Sequence, residues 1–212
     1  MTLSSFSENG VRVDLPYTSE VEVISTKAGT RWNYSVSKIA DEALCMSFAK
    51  HFGIPTVITR FFNTVGPRQT GRYGMVVPRF VQQALQGAPI TVYGSGTQTR
   101  CFCHVRDVVW ALMRLLTSPA TRGELYNVGN NEEVSINDLA ALVRTMTASD
   151  SEIRHIPYHE AFGSGFEDME RRVPDLRKIH QAIGYRPRHS LGDILREVIE
   201  HERSTGARRG GD

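Results

Sequence analysis

Tyr34 and Lys38 stand four residues apart in the run Tyr34-Ser35-Val36-Ser37-Lys38, inside a stretch whose apolar spacing is helical. Residues i and i+4 of a helix lie one above the other on the same face, so a phenol and an ammonium here would address one point in space. An isolated tyrosine, with a pKa of about 10, is a poor base at neutral pH; a neighbouring positive charge favours the phenolate and lowers that value. Such a pair can take a proton from an alcohol. The same spacing also suits an interfacial tyrosine beside a solvated lysine, and the pair acquires chemical meaning only through the residues that accompany it.

The elements that must position this pair can be read from the pattern around it. Apolar residues Ile39, Ala43, Leu44, Met46, Phe48 and Ala49 predict a helix from about Trp32 to Phe52, ended by Gly53 and Pro55. The β-branched run Thr56-Val57-Ile58-Thr59-Arg60 predicts a buried strand, and helix followed by such a strand is half of a crossover unit in a parallel sheet. A long loop, Phe61 to Gly74, leaves the carboxyl end of that strand, which is the edge where open α/β sheets bind ligands. Further on, helices are expected over Met75–Gln86, Val105–Leu116, Ser135–Met146, Pro174–Ile183 and Ser190–Arg203. Strands are expected over Ile90–Tyr93, Gln98–Cys103, Leu125–Val128 and Ile153–Pro157, with Gly94-Ser95-Gly96 as a hairpin-type turn. His104, at the head of a predicted helix, reads as structural. Residues 1 to 30 read as loops, and Ser204 to Asp212 as a frayed tail.

Bulk composition excludes several classes. With 212 residues, 40% hydrophobic and 23% charged, the chain is that of an ordinary globular protein. Its net charge of +2 is spread without a basic patch, which argues against nucleic acid or an anionic membrane as partner. The sequence contains no apolar run long enough to span a bilayer and no signal-peptide pattern at its start, so a cytoplasmic location is expected. Cys45, Cys101 and Cys103 give an odd count without a Cys-x-x-Cys pair, which fits reduced thiols and no metal site.

Four blocks in order, Tyr34 to Lys38, Arg60-Phe-Phe-Asn-Thr-Val-Gly-Pro-Arg68, Ile90-Thr-Val-Tyr-Gly-Ser-Gly96 and Arg100-Cys-Phe-Cys-His-Val-Arg-Asp107, with a fifth at Arg171-Arg-Val-Pro-Asp175, carry a resemblance. The chain resembles the extended short-chain dehydrogenase/reductases that act on nucleotide-diphosphate sugars, in particular the UDP-glucose 4-epimerase and UDP-glucuronate decarboxylase branch. The resemblance implies an α/β fold: the C-terminal part of a Rossmann-type parallel sheet plus a smaller α/β substrate-binding domain. It divides the chain into residues 1–74, a remnant of the NAD-binding domain with the catalytic helix; 75–203, mainly the nucleotide-sugar region with segments returning to the Rossmann sheet; and a tail, 204–212. No Gly-x-x-Gly-x-x-Gly turn of the kind that holds a dinucleotide pyrophosphate occurs in the sequence.

The same resemblance assigns roles. Tyr34 exchanges the proton of the sugar 4-hydroxyl, Lys38 holds the nicotinamide ribose and lowers the tyrosine pKa, and Thr2 falls at the position of the third catalytic hydroxyl. Phe61 and Phe62 match residues at the nicotinamide end of NAD. Asn63 matches an amide that holds the substrate diphosphate, while Arg100 and the Arg171/Arg172 pair match the guanidinium groups that clamp it, a task suited to planar bidentate donors. Pro78, Val92 and Tyr93 match the surroundings of the uracil, and Arg68 an arginine near the sugar ring of the decarboxylases. Leu3 and Ser4 stand where the 4,6-dehydratases carry an Asp-Glu pair and the decarboxylases a glutamate. Epimerisation at C4 through a 4-keto sugar is therefore the expected activity, with a decarboxylase or an inactive sugar-nucleotide-binding fragment as alternatives. A UDP-sugar is the expected partner, and a homodimer through the Tyr34/Lys38 helix is a possible assembly.

Overall fold

The computed structural model describes residues 30–71, 75–162 and 168–209. The chain runs α1 (Thr30–Phe52), β1 (Ile58–Phe61), β2 (Thr64–Val65), α2 (Val76–Leu85), β3 (Ile90–Tyr93), β4 (Thr99–Cys101), β5 (Cys103–His104) and α3 (Val105–Thr117). After one turn of 3-10 helix follow β6 (Leu125–Val128), β7 (Glu133–Ser135), α4 (Ile136–Thr147), β8 (Ile153–Ile156), α5 (Tyr158–Phe162), β9 (Arg171–Arg172), α6 (Arg177–Ile183) and α7 (Leu191–Arg209). This is an α/β fold. β1 pairs in parallel with β6, Ile58 opposite Leu125 through Phe61 opposite Val128; β2 pairs in parallel with β5 and β3 with β8. β4 lies between β7, antiparallel to it, and β9, parallel to it.

Two apolar centres organise these elements. In the first, α2 buries Val77, Phe80, Val81 and Ala84 against Ile90 and Val92 of β3, with α4 (Leu139, Ala140, Val143) and α7 (Ile194, Leu195, Val198) closing the layer. Each such Val, Leu, Ile or Phe side chain, removed wholly from water, contributes roughly 1.5–3 kcal/mol. In the second, α3 lays Val108, Ala111 and Leu115 on Tyr126 and Val128 of β6, and α6 and Tyr185 complete the packing.

The helices start where their sequences supply caps. Ser135 accepts the Asp138 N–H at 3.0 Å and donates to its carboxylate at 2.6 Å, and Ser190 and Asp193 repeat the arrangement before α7. At α3 the cap is His104, whose Nδ1 accepts the Arg106 N–H at 3.0 Å. α6 begins at Arg177 and not at Pro174, because the Asp175 carboxylate takes the Arg177 N–H at 2.9 Å and ends the preceding extended segment.

Two expectations for the strands are corrected. Gly94-Ser95-Gly96 is no hairpin turn, since β3 and β4 lie in different sheets. Gly94 N–H goes to Ile156 and the Gly96 carbonyl to Asn137 N–H, so the segment carries the chain from one sheet to the other. Both glycines have φ above +70° and are overlaid so closely, Gly94 by the Tyr158 ring and Gly96 by Asn137, that a Cβ would collide. The strand expected over Gln98–Cys103 is split at Phe102, which enters the first apolar centre while β4 and β5 join separate sheets.

Candidate substrate-binding site

β1 ends on Phe61, Phe62 and Asn63 link it to β2, and Arg68 lies beyond β2, so the stretch expected as one long loop, Phe61 to Gly74, is interrupted by a short strand. Phe61 packs against the second apolar centre, and Phe62 is buried beside Met169 with the Arg172 guanidinium 5.2 Å from its ring centroid. Asn63 has φ +31°; its Nδ2 donates to the Cys101 carbonyl at 2.8 Å and its carbonyl accepts from Cys103 N–H at 3.1 Å. These bonds suture the loop to the β4–β5 segment. Arg68, exposed, has φ +70°, a left-handed backbone that costs an ordinary residue on the order of 1 kcal/mol or more and persists only when the surroundings impose it.

β4 and β9 bring the arginines together. Arg100 stands directly opposite Arg172 in the parallel ladder, so both project from the same face of the sheet. Arg100 Nη2 pairs with Asp168 Oδ2 at 2.8 Å and its Nη1 donates to the Thr99 carbonyl at 2.7 Å, while Arg172 is buried over Phe62. Two guanidinium groups in register repel unless an anion lies between or beside them, which marks this face as electrostatically suited to a phosphate.

The expected Arg171/Arg172 pair is divided. Successive strand residues face opposite ways, and Arg171 turns to the far side, where Glu133 accepts from its Nε at 2.9 Å and its Nη2 at 2.6 Å. Those bonds hold the Glu133 carboxyl below its usual range. Arg171 borders a separate cleft of about 690 Å³ shared with His180 and Arg186. It does not address the spot that Arg100 and Arg172 share.

Among the residues expected around the base, Pro78 and Val92 are buried, Val92 wholly within the first apolar centre, so their side chains are structural. Tyr93 is half-buried: the Arg79 guanidinium lies 4.1 Å from its ring centroid, and Phe162 of α5 meets it edge-on at 5.0 Å. Arg79, Gln98, Tyr158 and Asp168, none of them singled out from sequence, thus complete this region. Asp168 and Tyr158 lie in stretches without helical or strand periodicity, which left no signal to find them by.

Tyr34 lies within α1, one turn before Lys38, as its spacing predicted; its side chain is outside the described part of the molecule. Lys38 Nζ pairs with Asp41 at 2.8 Å on a partly exposed face. Thr2 lies outside the described residues. A contact missed from sequence anchors this helix: Arg60 of β1 donates to both oxygens of Glu42, at 2.9 and 2.7 Å, with both residues buried. Burial pushes Cys101 up to about 12 and Cys103 up to about 11, so both are neutral thiols and not nucleophiles. No cluster of metal-ligating side chains occurs among the described residues, nor any helix long and apolar enough to cross a membrane.

Comparison with known proteins adds to this geometry. The model of the "NAD dependent epimerase/dehydratase family" matches residues 3–129. The chain is 39% identical over 171 residues to the UDP-N-acetyl-alpha-D-glucosaminuronate decarboxylase of Bacillus cytotoxicus, covering 80% of this chain and 53% of that protein. It is 37% identical over 173 residues to UDP-glucuronic acid decarboxylase 1 of Danio rerio, covering 82% and 40%. Among solved structures, UDP-glucose 4-epimerase of Thermotoga maritima with UDP-glucose superposes with a TM-score of 0.73 at 28% identity, over 81% of this chain and 53% of that one. The UDP-glucuronic acid 4-epimerase of Bacillus cereus, in complex with UDP-glucuronic acid and NAD, gives 0.74 at 26% identity, over 96% and 58%. The chain spans about half the length of the curated relatives it matches.

Proposed function

The chain belongs to the NAD dependent epimerase/dehydratase family, and from that premise we propose that it carries the sugar-nucleotide site and the Tyr34/Lys38 helix of an enzyme that decarboxylates a UDP-hexuronic acid. The observation that carries the sugar-nucleotide assignment is the registered pair Arg100 and Arg172, two guanidinium groups on one face beside the Asn63 loop. The diphosphate lies against that pair, the base stacks at Tyr93, and the sugar extends toward the segment after β2 that carries Arg68. Tyr34 accepts the proton of the sugar 4-hydroxyl, with Lys38 supplying the positive charge that makes the phenol acidic enough.

The choice of decarboxylation over epimerisation is supported by the relatives at 37–39% identity, which are decarboxylases of UDP-hexuronic acids, against 26–28% for the solved epimerases. A hexuronic acid needs a cation to receive its C6 carboxylate, and Arg68, exposed and held in a strained backbone, serves that need. The first apolar centre then belongs to the sugar-nucleotide region, 75–203. The second gathers the segments that return to the Rossmann sheet beside the 1–74 part.

The family is NAD-dependent, and relatives are solved with NAD. The described residues do not fit the dinucleotide as a whole. α2, α3, α4 and α6 open on Met75, His104, Ser135 and Leu176, so no glycine-rich turn is present among them to receive a pyrophosphate. A pairing of two copies through α1 would cover Leu44, Phe48 and Phe52, which share one face of the helix, and we include that homodimer in the proposal.

Titration calorimetry of the chain with UDP-glucuronate and UDP-glucose tests the reading. UDP-glucuronate should bind the more tightly, Arg68→Ala should erase that preference, and Arg100→Ala should weaken both ligands by about 10- to 100-fold, as loss of a charge-assisted bond to phosphate requires. Equal affinity for the two sugars would return the assignment to an epimerase. Failure of both to bind would remove the sugar-nucleotide reading.

A further inference from the structure

Asp168 occupies the position where the reading above places a phosphate. Its Oδ2 lies 2.8 Å from Arg100 Nη2 and also accepts the Tyr158 hydroxyl at 3.2 Å, while its Oδ1 accepts the Met169 N–H at 2.9 Å. A carboxylate ringed by a guanidinium, a phenol and a backbone N–H has the donor set of a bound phosphate oxygen. The ion pair is largely removed from solvent, with 11% and 19% of the two side chains accessible, so it is not a weak surface pair.

The carboxylate is also joined to the other end of the site. Tyr158, which donates to Asp168, accepts from Gln98 Nε2 at 3.0 Å, and the same amide donates to the Tyr93 carbonyl at 3.1 Å. Tyr158 belongs to α5, whose Phe162 meets the Tyr93 ring. Asp168 thus stands at one end of a hydrogen-bonded chain that runs through Tyr158 and Gln98 to the backbone of Tyr93.

We propose that Asp168 is an internal competitor for the diphosphate: it holds Arg100 in the ligand-free chain and yields it when a phosphate arrives, lowering the affinity for diphosphate-bearing ligands and leaving ligands without a phosphate unaffected. The inference rests on the preceding assignment of Arg100 to the phosphates. A weak anion that must be displaced lowers the affinity for every ligand that engages Arg100 and leaves one that does not engage it untouched.

Calorimetry with UDP and with uridine, on the wild type, Asp168→Asn, Asp168→Ala and Arg100→Ala, tests it. Both Asp168 variants should bind UDP about tenfold more tightly, and uridine with unchanged affinity. Asp168→Ala leaves no amide oxygen for Arg100 and so guards against a substitute bond in Asp168→Asn; thermal melts of each variant establish that it is folded. Weaker or unchanged UDP binding in the folded Asp168 variants overturns the proposal, and weaker binding would make Asp168 a positioning group for Arg100. If Arg100→Ala leaves UDP affinity intact, the phosphate assignment itself fails, an outcome separate from any result at Asp168.

Discussion

α1 and α2 both carry apolar residues along their length, yet the fold treats them in opposite ways. α2 turns Val77, Phe80, Val81 and Ala84 into the first apolar centre, with Phe80 wholly buried. α1 is more than twice as long and leaves Leu44, Met46, Phe48 and Phe52 exposed, Phe52 at 69%. Its one buried residue among those described is an acid, Glu42, held by Arg60. The sugar-nucleotide end is stabilised by its own apolar packing. The helix carrying Tyr34 and Lys38 is fastened to the described body by a buried charge pair, and its large apolar side chains Leu44, Met46, Phe48 and Phe52 lie exposed.

That contrast can be broken at its two anchors. Phe80→Ala should cost about 3–5 kcal/mol and lower the denaturant midpoint of the whole chain, because the cavity opens under α2, α4 and α7 together. Glu42→Ala removes a buried bidentate partner of Arg60, a loss of up to about 3–5 kcal/mol where nothing relaxes. Relaxation is available here, since α1 can lift and admit water. Hydrogen exchange should then show the α1 amides opening freely in Glu42→Ala while those of α2 and β3 keep wild-type protection. Equal loss of protection in both helices would mean that α1 is part of the same cooperative unit as the apolar layer.

A smaller effect separates the junction of α3 and α7 from both helices. His104 is fully buried, its Nδ1 accepting the Arg106 N–H, its Nε2 3.3 Å from Glu197, and its ring stacked on His189 at 4.3 Å. A backbone N–H can only donate, so Nδ1 is unprotonated and Nε2 carries the proton toward Glu197. Burial, then the His189 ring, push the His104 pKa below its ordinary 6.5. The unfolded chain therefore binds the proton more readily, and the stability held above about pH 6.5 is lost as the pH falls through the folded-state pKa. His104→Asn retains a capping side chain and removes the titration, so its unfolding free energy should depend less steeply on pH between 7.5 and about 5. An unchanged slope would mean that His104 does not supply the dependence.

How much of this was legible in sequence follows from the length of the signal. Helices with repeated apolar spacing, such as α3 and α4, and strands with β-branched runs, such as β3, are found where the pattern places them, within a residue or two. β2 and β9, two residues each, carry no period, and their places are fixed by backbone partners far away in the chain. The ordered blocks brought Asn63, Arg100 and Arg172 to one region. The alternation of strand side chains, applied to Arg171 and Arg172, would have separated the two without a structure. Glu42 had a faint signal as an acid on an apolar helix ahead of a strand ending in Arg60. Asp168 had none, because its role depends on which arginine the β4–β9 ladder sets beside it.

The smallest predicted effect decides what the exposed face of α1 is for. Phe48 is half-exposed and touches Phe52 at a ring separation of 5.2 Å, so Phe48→Ser removes little more than one contact between exposed rings. In a dilute, monomeric chain the change should alter unfolding free energy by no more than about 0.5 kcal/mol, as for most surface substitutions. The proposed pairing of copies makes a different demand, since Phe48 would then lie in an apolar interface and its loss would be costly. Light scattering over a concentration series should therefore show dimer dissociation shifting to higher concentration in Phe48→Ser, while the melting temperature of the dilute monomer stays fixed. A monomer that is itself destabilised by more than about 1 kcal/mol would mean that α1 packs on the chain's own surface, and the contrast between α1 and α2 would then be one of degree.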